Sequence, residues 1–299
     1  MARGRKDASP VHGWVVVDKP LGMTSTQAVG KIKRLFDCRK VGHAGTLDPL
    51  ATGVLPIALG EATKTVPYVQ SGIKHYEFTL AWGEETDTCD AEGKCIATSP
   101  VRPSSDAIVA TLNAFVGKIM QAPPAFSAIK VGGERAYDIA RRGEAVDLAA
   151  REVCVESFRL VQSSEESASF SVVCGKGTYI RSLARDIGRS LGSCAYVTAL
   201  RRTRVDHFGL EVAFRLEQLD DESGRQSALR PVASVLGELN RIEVDDSQAS
   251  DLRQGRKVAT RDHGTATLES YAMNGATLVA IGRVESAYFK PTRVFNLQG

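Results

Sequence analysis

Between Gly42 and Pro56 the chain reads GHAGTLDPLATGVLP, a stretch whose single carboxylate, Asp48, is surrounded by apolar and conformationally special residues. Three glycines and two prolines in fifteen positions specify an irregular backbone. A loop that presents one aspartate in apolar surroundings is a candidate catalytic cradle, because desolvation perturbs a carboxylate and rigidly mounted loops carry function. The competing structural reading is that Asp48-Pro49 starts a turn and that Thr46 or Asp48 caps a helix. His43 lies in the same stretch without a partner motif and on its own reads as a hydrogen-bonding residue. A second stretch, GKGTYIR from Gly175 to Arg181, joins a strand to a helix, where Lys176 and the backbone amides would meet a phosphate. The G-x-x-x-x-G-K-[ST] spacing of a nucleotide-binding loop is absent, which argues against ATP chemistry. Arg181, Arg185 and Arg189 follow at i, i+4 and i+8, and Arg201, Arg202 and Arg204 come soon after. Arginine suits bidentate pairing with phosphate or with a buried carboxylate. Arg181 stands at the helix start, where a cation opposes the helix dipole and wants an anionic partner. Tyr76 and Tyr179 each begin a regular element beside these loops, as core aromatics or as base-stacking platforms.

These residues need a scaffold. Val11–Asp18 is a β-branched run that stops at Lys-Pro-Leu-Gly, a buried strand ending in a turn. Thr24-Ser25-Thr26 offers caps for a helix with Ala28, Val29, Ile32 and Leu35 on one face. Tyr76–Trp82 alternates as a strand, and GEETDTCDAEG behind it is an acidic, turn-rich loop. Asp106–Val116 reads as a helix, and Val153–Leu160 and Ala168–Cys174 read as strands. Thr178–Leu191 is a further helix, with Ile180, Leu183, Ala184, Ile187 and Leu191 on one stripe and Gly192 at its stop. The elements follow no βαβα rhythm, which predicts a mixed-sheet α+β domain. Gln121 to Arg135 (QAPPAFSAIKVGGER) is an extended polar and basic excursion, either an RNA-gripping arm or a surface loop. Near Asn240 the acid-rich segment that began at Glu211 gives way to short strand-like pieces such as Ala276–Gly282. This predicts a small β-rich C-terminal domain of about 55 residues, a size that must dock on the main body to be stable.

A chain of 299 residues, 43% hydrophobic and 24% charged, excludes disordered, collagen-like and repeat-array classes. Its net charge of +3 conceals an uneven distribution. Met1–Lys40 holds nine Lys and Arg against three Asp, and Lys176–Arg204 holds seven basic residues against Asp186 alone. A polyanionic partner is the implication. Six cysteines without C-x-x-C spacing, unclustered with the five histidines, read as reduced, mostly buried thiols rather than a zinc site. No apolar run follows the basic N-terminus or approaches the roughly 18 residues of a membrane helix, so a reducing cytoplasm is the expected compartment.

At these residues the sequence closely resembles the bacterial TruB family of tRNA pseudouridine 55 synthases. The matching motifs are DKPLGMTST (18–26), VGHAGTLDPLATGVLP (41–56), GEATK (60–64), KHYEF (74–78), TDTCDAEG (86–93), QAPPAFSAIKVGGERAYDIARRG (121–143), CGKGTYIRSLARD (174–186) and ALRRTRVDHF (199–208). The stretch ending AIGRVESAYFKPTRVFN resembles the family's small PUA-like domain. The resemblance implies a pseudouridine synthase catalytic domain over 1–240, with a thumb-like insertion at about 121–150 that closes on the T-loop, and a PUA-like domain over 241–299. It makes Asp48 the catalytic aspartate, Tyr76 the aromatic that stacks on the target base and a candidate general base, and Arg181 the partner of Asp48. His43, Tyr179 and Leu200 fall on positions that shape the pocket or contact the flipped nucleotide, and Lys19 and Lys64 on basic positions near the site. It further implies a monomer acting on the tRNA T-stem-loop, with no guide RNA, cofactor or metal.

The chemistry so implied breaks the N1 glycosidic bond of uridine, rotates the uracil and rebuilds the link through C5. A nucleophilic carboxylate must be ionised for this, and a neighbouring guanidinium favours the charged form. Attack on the sugar, addition to the base and proton abstraction through a glycal all meet that requirement. The uridine must leave the folded RNA, so base extrusion onto an aromatic platform is expected. A free phenol titrates near pH 10, so Tyr76 needs help from its surroundings to act as a base. Two rivals remain: an RNA-guided synthase, against which the thumb-like excursion argues, and a catalytically silent RNA-binding or RNA-folding protein, against which intact Asp48, Tyr76 and Arg181 argue.

Overall fold

The computed structural model describes residues 11–127, 129–144, 146, 148–260 and 268–297. Arg3, Arg5 and Lys6 of the first basic stretch lie outside the described residues. The architecture is mixed α and β, as the irregular order of elements predicts. Along its main path the large sheet runs Gly13–Lys19, Ala51–Leu59, Ala195–Val205, Lys74–Trp82, Ser167–Cys174, Arg151–Ser163 and Gly117–Gln121. Neighbours on this path are antiparallel except Ala51–Leu59 and Ala195–Val205, which run parallel with Leu200 beside Ala51 and Arg202 beside Gly53.

Alternation along Lys74–Trp82 puts Tyr76, Phe78, Leu80 and Trp82 on one face. There Phe78 stacks on Phe170 with ring centroids 5.2 Å apart, and Phe158 leans against both. Helices Ser25–Leu35, Ser105–Leu112 and Ile180–Ser190 close this core with the apolar stripes that their sequences show, including Ala28, Ile32, Ile108, Leu183 and Ile187. Thr24 is the N-cap of the first helix and completes a capping box with Gln27.

The other face of the sheet, around Trp14, Val16, Ala58 and Val205, packs against Met273, Leu278, Ile281 and Phe295. The first three belong to a C-terminal five-stranded sheet, and Phe295 directly follows one of its strands; the sheet is ordered Asn240–Glu243, Leu268–Asn274, Thr277–Glu285, Tyr288–Val294, Val258–Ala259, with helix Asp246–Arg253 against it. Among the described residues no helix is long and apolar enough to cross a membrane. The thiols are less uniformly sequestered than expected: Cys38, Cys89 and Cys174 are buried, but Cys95 and Cys154 are exposed.

The stretch expected to be irregular to Pro56 instead enters, at Ala51, a nine-residue strand, Ala51–Leu59, within which Pro56 sits opposite Val16. On its other edge this strand pairs with Ala195–Val205 at Ala51–Gly53 and with Val41–His43 at Ile57–Leu59. Pro56 falls in the gap between those partners, where its missing N–H breaks no ladder. Gly53 is required for two reasons: its φ is +101°, and a Cβ there would lie 2.2 Å from the carbonyl oxygen of Arg202. Gly53→Ala should therefore lower the unfolding free energy by roughly 2–4 kcal/mol through combined strain and overpacking. Urea unfolding measures it; a loss under about 0.5 kcal/mol would contradict the close packing of these two strands.

Candidate active site

The backbone from Ala44 to Leu50 leaves one strand and enters the next without regular structure, and side chains from elsewhere fasten it. Ser25 Oγ donates to the Leu47 carbonyl at 2.9 Å and accepts from the Leu47 N–H at 2.8 Å. Gly22 N–H and Lys19 Nζ both donate to the Pro49 carbonyl, at 2.9 and 3.4 Å. Arg202 donates to the carbonyls of Gly45, Thr46 and Val54. Asp48 is thus held from both sides and keeps its side chain 37% exposed, toward a cavity of about 710 Å³.

Arg181 answers the question its sequence position raises. At the start of helix Ile180–Ser190 it is buried, with Nε 2.9 Å from Asp48 Oδ2 and 3.6 Å from Asp90 Oδ2. Nη1 donates to the Thr88 carbonyl at 2.9 Å and Nη2 to the Phe126 carbonyl at 3.0 Å. Its Nε–H is not aligned for a hydrogen bond, so the 2.9 Å contact is an ion pair with an accessible carboxylate rather than a closed fork. Asp90 is oriented in turn by Thr88 Oγ1 at 2.6 Å and by the Glu92 N–H at 3.0 Å. The acidic turn-rich loop folds back onto the sheet to bring it there, through a bridge to Val197 and a positive φ at Cys89.

Tyr76, Tyr179, Leu200 and Arg202 line the same cavity as Asp48 and Arg181. Burial pushes the phenols of Tyr76 and Tyr179 above their ordinary range, and a guanidinium close to each works the other way. Both are therefore protonated at neutral pH, able to stack and to donate hydrogen bonds. Gln121 fixes Tyr179 by gripping its backbone, accepting from its N–H at 2.8 Å and donating to its carbonyl at 3.1 Å. Phe126, Ser127 and Tyr137, from the excursion that follows Gln121, close the cavity on one side. That excursion contains a short hairpin, Lys130–Val131 with Glu134–Arg135, and helix Ala136–Arg141.

The remaining predicted positions are distributed differently. His43 does not line the cavity; its imidazole is pushed down from its ordinary value by burial and by Arg202, which makes it neutral at pH 7, and its Nδ1 is buried without a hydrogen-bond partner. Lys64 lies elsewhere, against the C-terminal sheet, where Nζ donates to the Val294 carbonyl at 2.7 Å and pairs with Glu61 at 2.6 Å. Lys19 is fully buried beneath the Asp48 loop, with Nζ donating to the carbonyls of Met23 at 2.6 Å and Pro20 at 3.0 Å.

Burial lowers the Lys19 ammonium to about 8, with Asp48 partly opposing. A lysine lowered on folding is still charged in the unfolded chain, so its burial opposes folding below pH 8, and that opposition fades as pH rises toward the unfolded value. Lys19→Met should accordingly lose ground to the wild type by about 2 kcal/mol between pH 7 and pH 10. Parallel denaturant titrations check this, and a pH-independent difference would contradict the buried charge.

The second basic stretch is largely paired within the protein, at buried positions for Arg181 and Arg202, partly buried ones for Arg185 and Arg204 and an exposed one for Arg189. Arg181 pairs with Asp48 and Asp90, Arg185 with Asp186, Arg189 with Glu85, Arg201 with Asp18 and Arg204 with Glu211, while Arg202 is spent on backbone carbonyls. Of its seven cations, only Lys176 has no such partner among the described residues. The sequence count of positive charge thus overstated the surface available to phosphate. Asp90, Gln121 and Arg202 were not singled out as site residues from sequence, and nothing in their local spacing marks them. Only the motif stretches around them hinted at a role.

Residues 33–180 match the N-terminal domain of the TruB family pseudouridylate synthases, and residues 181–236 match the C-terminal domain of tRNA pseudouridylate synthase B. The chain is 51% identical to tRNA pseudouridine synthase B of Sinorhizobium medicae, with 99% of each chain covered, and 50% identical to that of Rhizobium meliloti across the whole of both. Among solved structures it resembles a box H/ACA ribonucleoprotein bound to substrate RNA (TM-score 0.73, 24% identity, 95% of this chain and 85% of that one). A comparable likeness holds to the archaeal Nop10–Cbf5 complex (TM-score 0.71, 25% identity, the same coverage). With half of its residues shared along essentially its full length, and two adjoining family domains matched in order, the chain belongs to the TruB family of pseudouridylate synthases.

Proposed function

We propose that the protein is a tRNA pseudouridine synthase that isomerises the uridine at position 55 of the T-loop, acting alone and without a cofactor. The observation that carries this reading is the Asp48–Arg181 ion pair, set in the wall of a cavity that also holds Tyr76. The N1–C1′ bond of uridine breaks and a C5–C1′ bond forms, while the C5 proton leaves and N1 takes one up, so no electron acceptor enters the balance. Asp48 is the nucleophile, paired with and aimed by Arg181, whose own position is fixed by Asp90 and two carbonyls. Tyr76 is the platform for the extruded base. Tyr179 and Leu200 shape the pocket around it, and the excursion over the cavity grips the RNA loop. His43, half-buried within reach of the Arg202 charge and outside the cavity wall, is given no contact with the base, whereas Lys19 supports the Asp48 loop and Lys64 secures the C-terminal sheet.

The division into a catalytic domain to about residue 240 and a PUA-like domain beyond it accords with the separate C-terminal sheet. The names borne by half-identical relatives favour free tRNA as substrate over a guided ribonucleoprotein, although the fold is shared with proteins solved in such particles. The test incubates purified protein with an unmodified tRNA transcript tritiated at uridine C5 and follows tritium into water. Release is expected without guide RNA or any cofactor, and replacing the T-loop uridine by cytidine should abolish it. No release from a bound transcript would refute the enzyme, and release from the cytidine transcript would refute the position.

A further inference from the structure

Arg202 occupies an unusual electrostatic position. It is 1% exposed, at the centre of the large sheet, yet it lines the cavity. Its Nε donates to the Val54 carbonyl at 2.8 Å, Nη2 to the Gly45 carbonyl at 3.0 Å and Nη1 weakly to the Thr46 carbonyl at 3.4 Å. Among the described residues no carboxylate pairs with it. Carbonyl dipoles offset only part of a buried charge, and a cation held this way is costly unless the site uses it.

The sheet register explains the placement. In strand Ala195–Val205, Arg202 lies between Gly53, which follows the Asp48 loop, and Tyr76 on the adjoining strand. The three carbonyls that accept from it bracket Asp48 in sequence, two before and one after. Tyr76 is its neighbour across the strand pair and lines the same cavity, and the guanidinium is close enough to act on its phenol. Two glycines make room for it: a Cβ at Gly53 would strike its backbone, and one at Gly45 would come within 3.4 Å of Nη1. Its positive charge is also felt by His43, Lys19 and Lys74, each of which it disfavours in the charged form.

We propose that Arg202 is a positioning residue for the isomerisation, one guanidinium that grips the Asp48 loop by its carbonyls and acts on the Tyr76 hydroxyl across the strand pair. The carboxylate and the phenol are thereby held in fixed mutual geometry across the cavity. A local error at either would otherwise move the reacting groups independently, and small misplacements are expensive in rate. The inference rests on the reading of Asp48 and Tyr76 as working groups of the reaction.

A double-mutant cycle tests it. Arg202→Lys keeps the charge but cannot reach both sides at once. In the wild-type background it should lower the single-turnover rate of tritium release about 100-fold, with RNA affinity within about threefold and cooperative unfolding retained. In a Tyr76→Phe background, where the hydroxyl is already gone, the same substitution should cost about tenfold or less. Equal costs in both backgrounds, or a loss that appears in RNA affinity instead of turnover, would overturn the assignment. If Arg202→Lys does not fold, Arg202→Gln carries the same cycle, and failure of both to fold would make Arg202 a structural residue only. No release by the wild type would sink the functional reading itself, whereas release with an additive cycle sinks only the role of Arg202.

Discussion

Asp48→Asn should abolish tritium release from a uridine-labelled tRNA transcript, lowering the single-turnover rate by roughly 10⁴-fold or more, as loss of a nucleophile does elsewhere. Affinity for the same transcript should change by less than about threefold, because the substitution keeps the side-chain shape and the loop's fastenings are made elsewhere. Those fastenings run through Leu47, Pro49 and the carbonyls of Gly45, Thr46 and Val54, none of which involves the carboxylate. Arg181 keeps Asp90 as its second counter-charge, so the pocket has no reason to collapse. A variant that retained more than about 1% of the wild-type rate would remove Asp48 from the covalent chemistry.

Arg181→Ala should be damaging in two separable ways. Turnover should fall about 10³-fold, since the carboxylate loses the cation that aims it. Stability should fall by about 3–5 kcal/mol, because Asp90, 4% exposed, is left buried without its charge partner. The carbonyls of Thr88 and Phe126 lose their donors as well. Adding Asp90→Ala should restore part of the stability by removing the orphaned charge, but none of the turnover. Denaturant unfolding and tritium release on the single and double variants separate the two effects. Recovery of activity in the double variant would show that Arg181 acts only as a structural counter-ion.

Local patterns carried much of the fold. The helix at Ser25–Leu35 is written in its cap and its apolar stripe, and strand Lys74–Trp82 in its alternation. Helix Ile180–Ser190 fills the stripe read from Ile180, Leu183, Ala184 and Ile187. Strand Ala51–Leu59 escaped because proline and glycine ordinarily signal a break. Their tolerance there depends on a gap between two partner strands, which no local window contains. The pairing of those charges was hidden for a related reason: the runs of arginine are visible, but Glu85, which takes up Arg189, lies 104 residues from it.

The sequence by itself determined the chemistry at hand: an aspartate in a special loop, an arginine that needs an anion, aromatics at element starts and ordered motifs that resemble one family. Residue type and short-range spacing suffice for such inferences. Only the tertiary structure decided which groups meet. The parallel pairing of Ala51–Leu59 with Ala195–Val205 puts Arg202 under the Asp48 loop, though 148 residues separate it from Val54, whose carbonyl it holds. The return of the acidic loop over the sheet puts Asp90 against Arg181. Sequence lists charges and donors, but whether a cation faces phosphate, a carboxylate or a ring of carbonyls is fixed by strand register, because burial and distance set electrostatic energy and neither can be read along the chain.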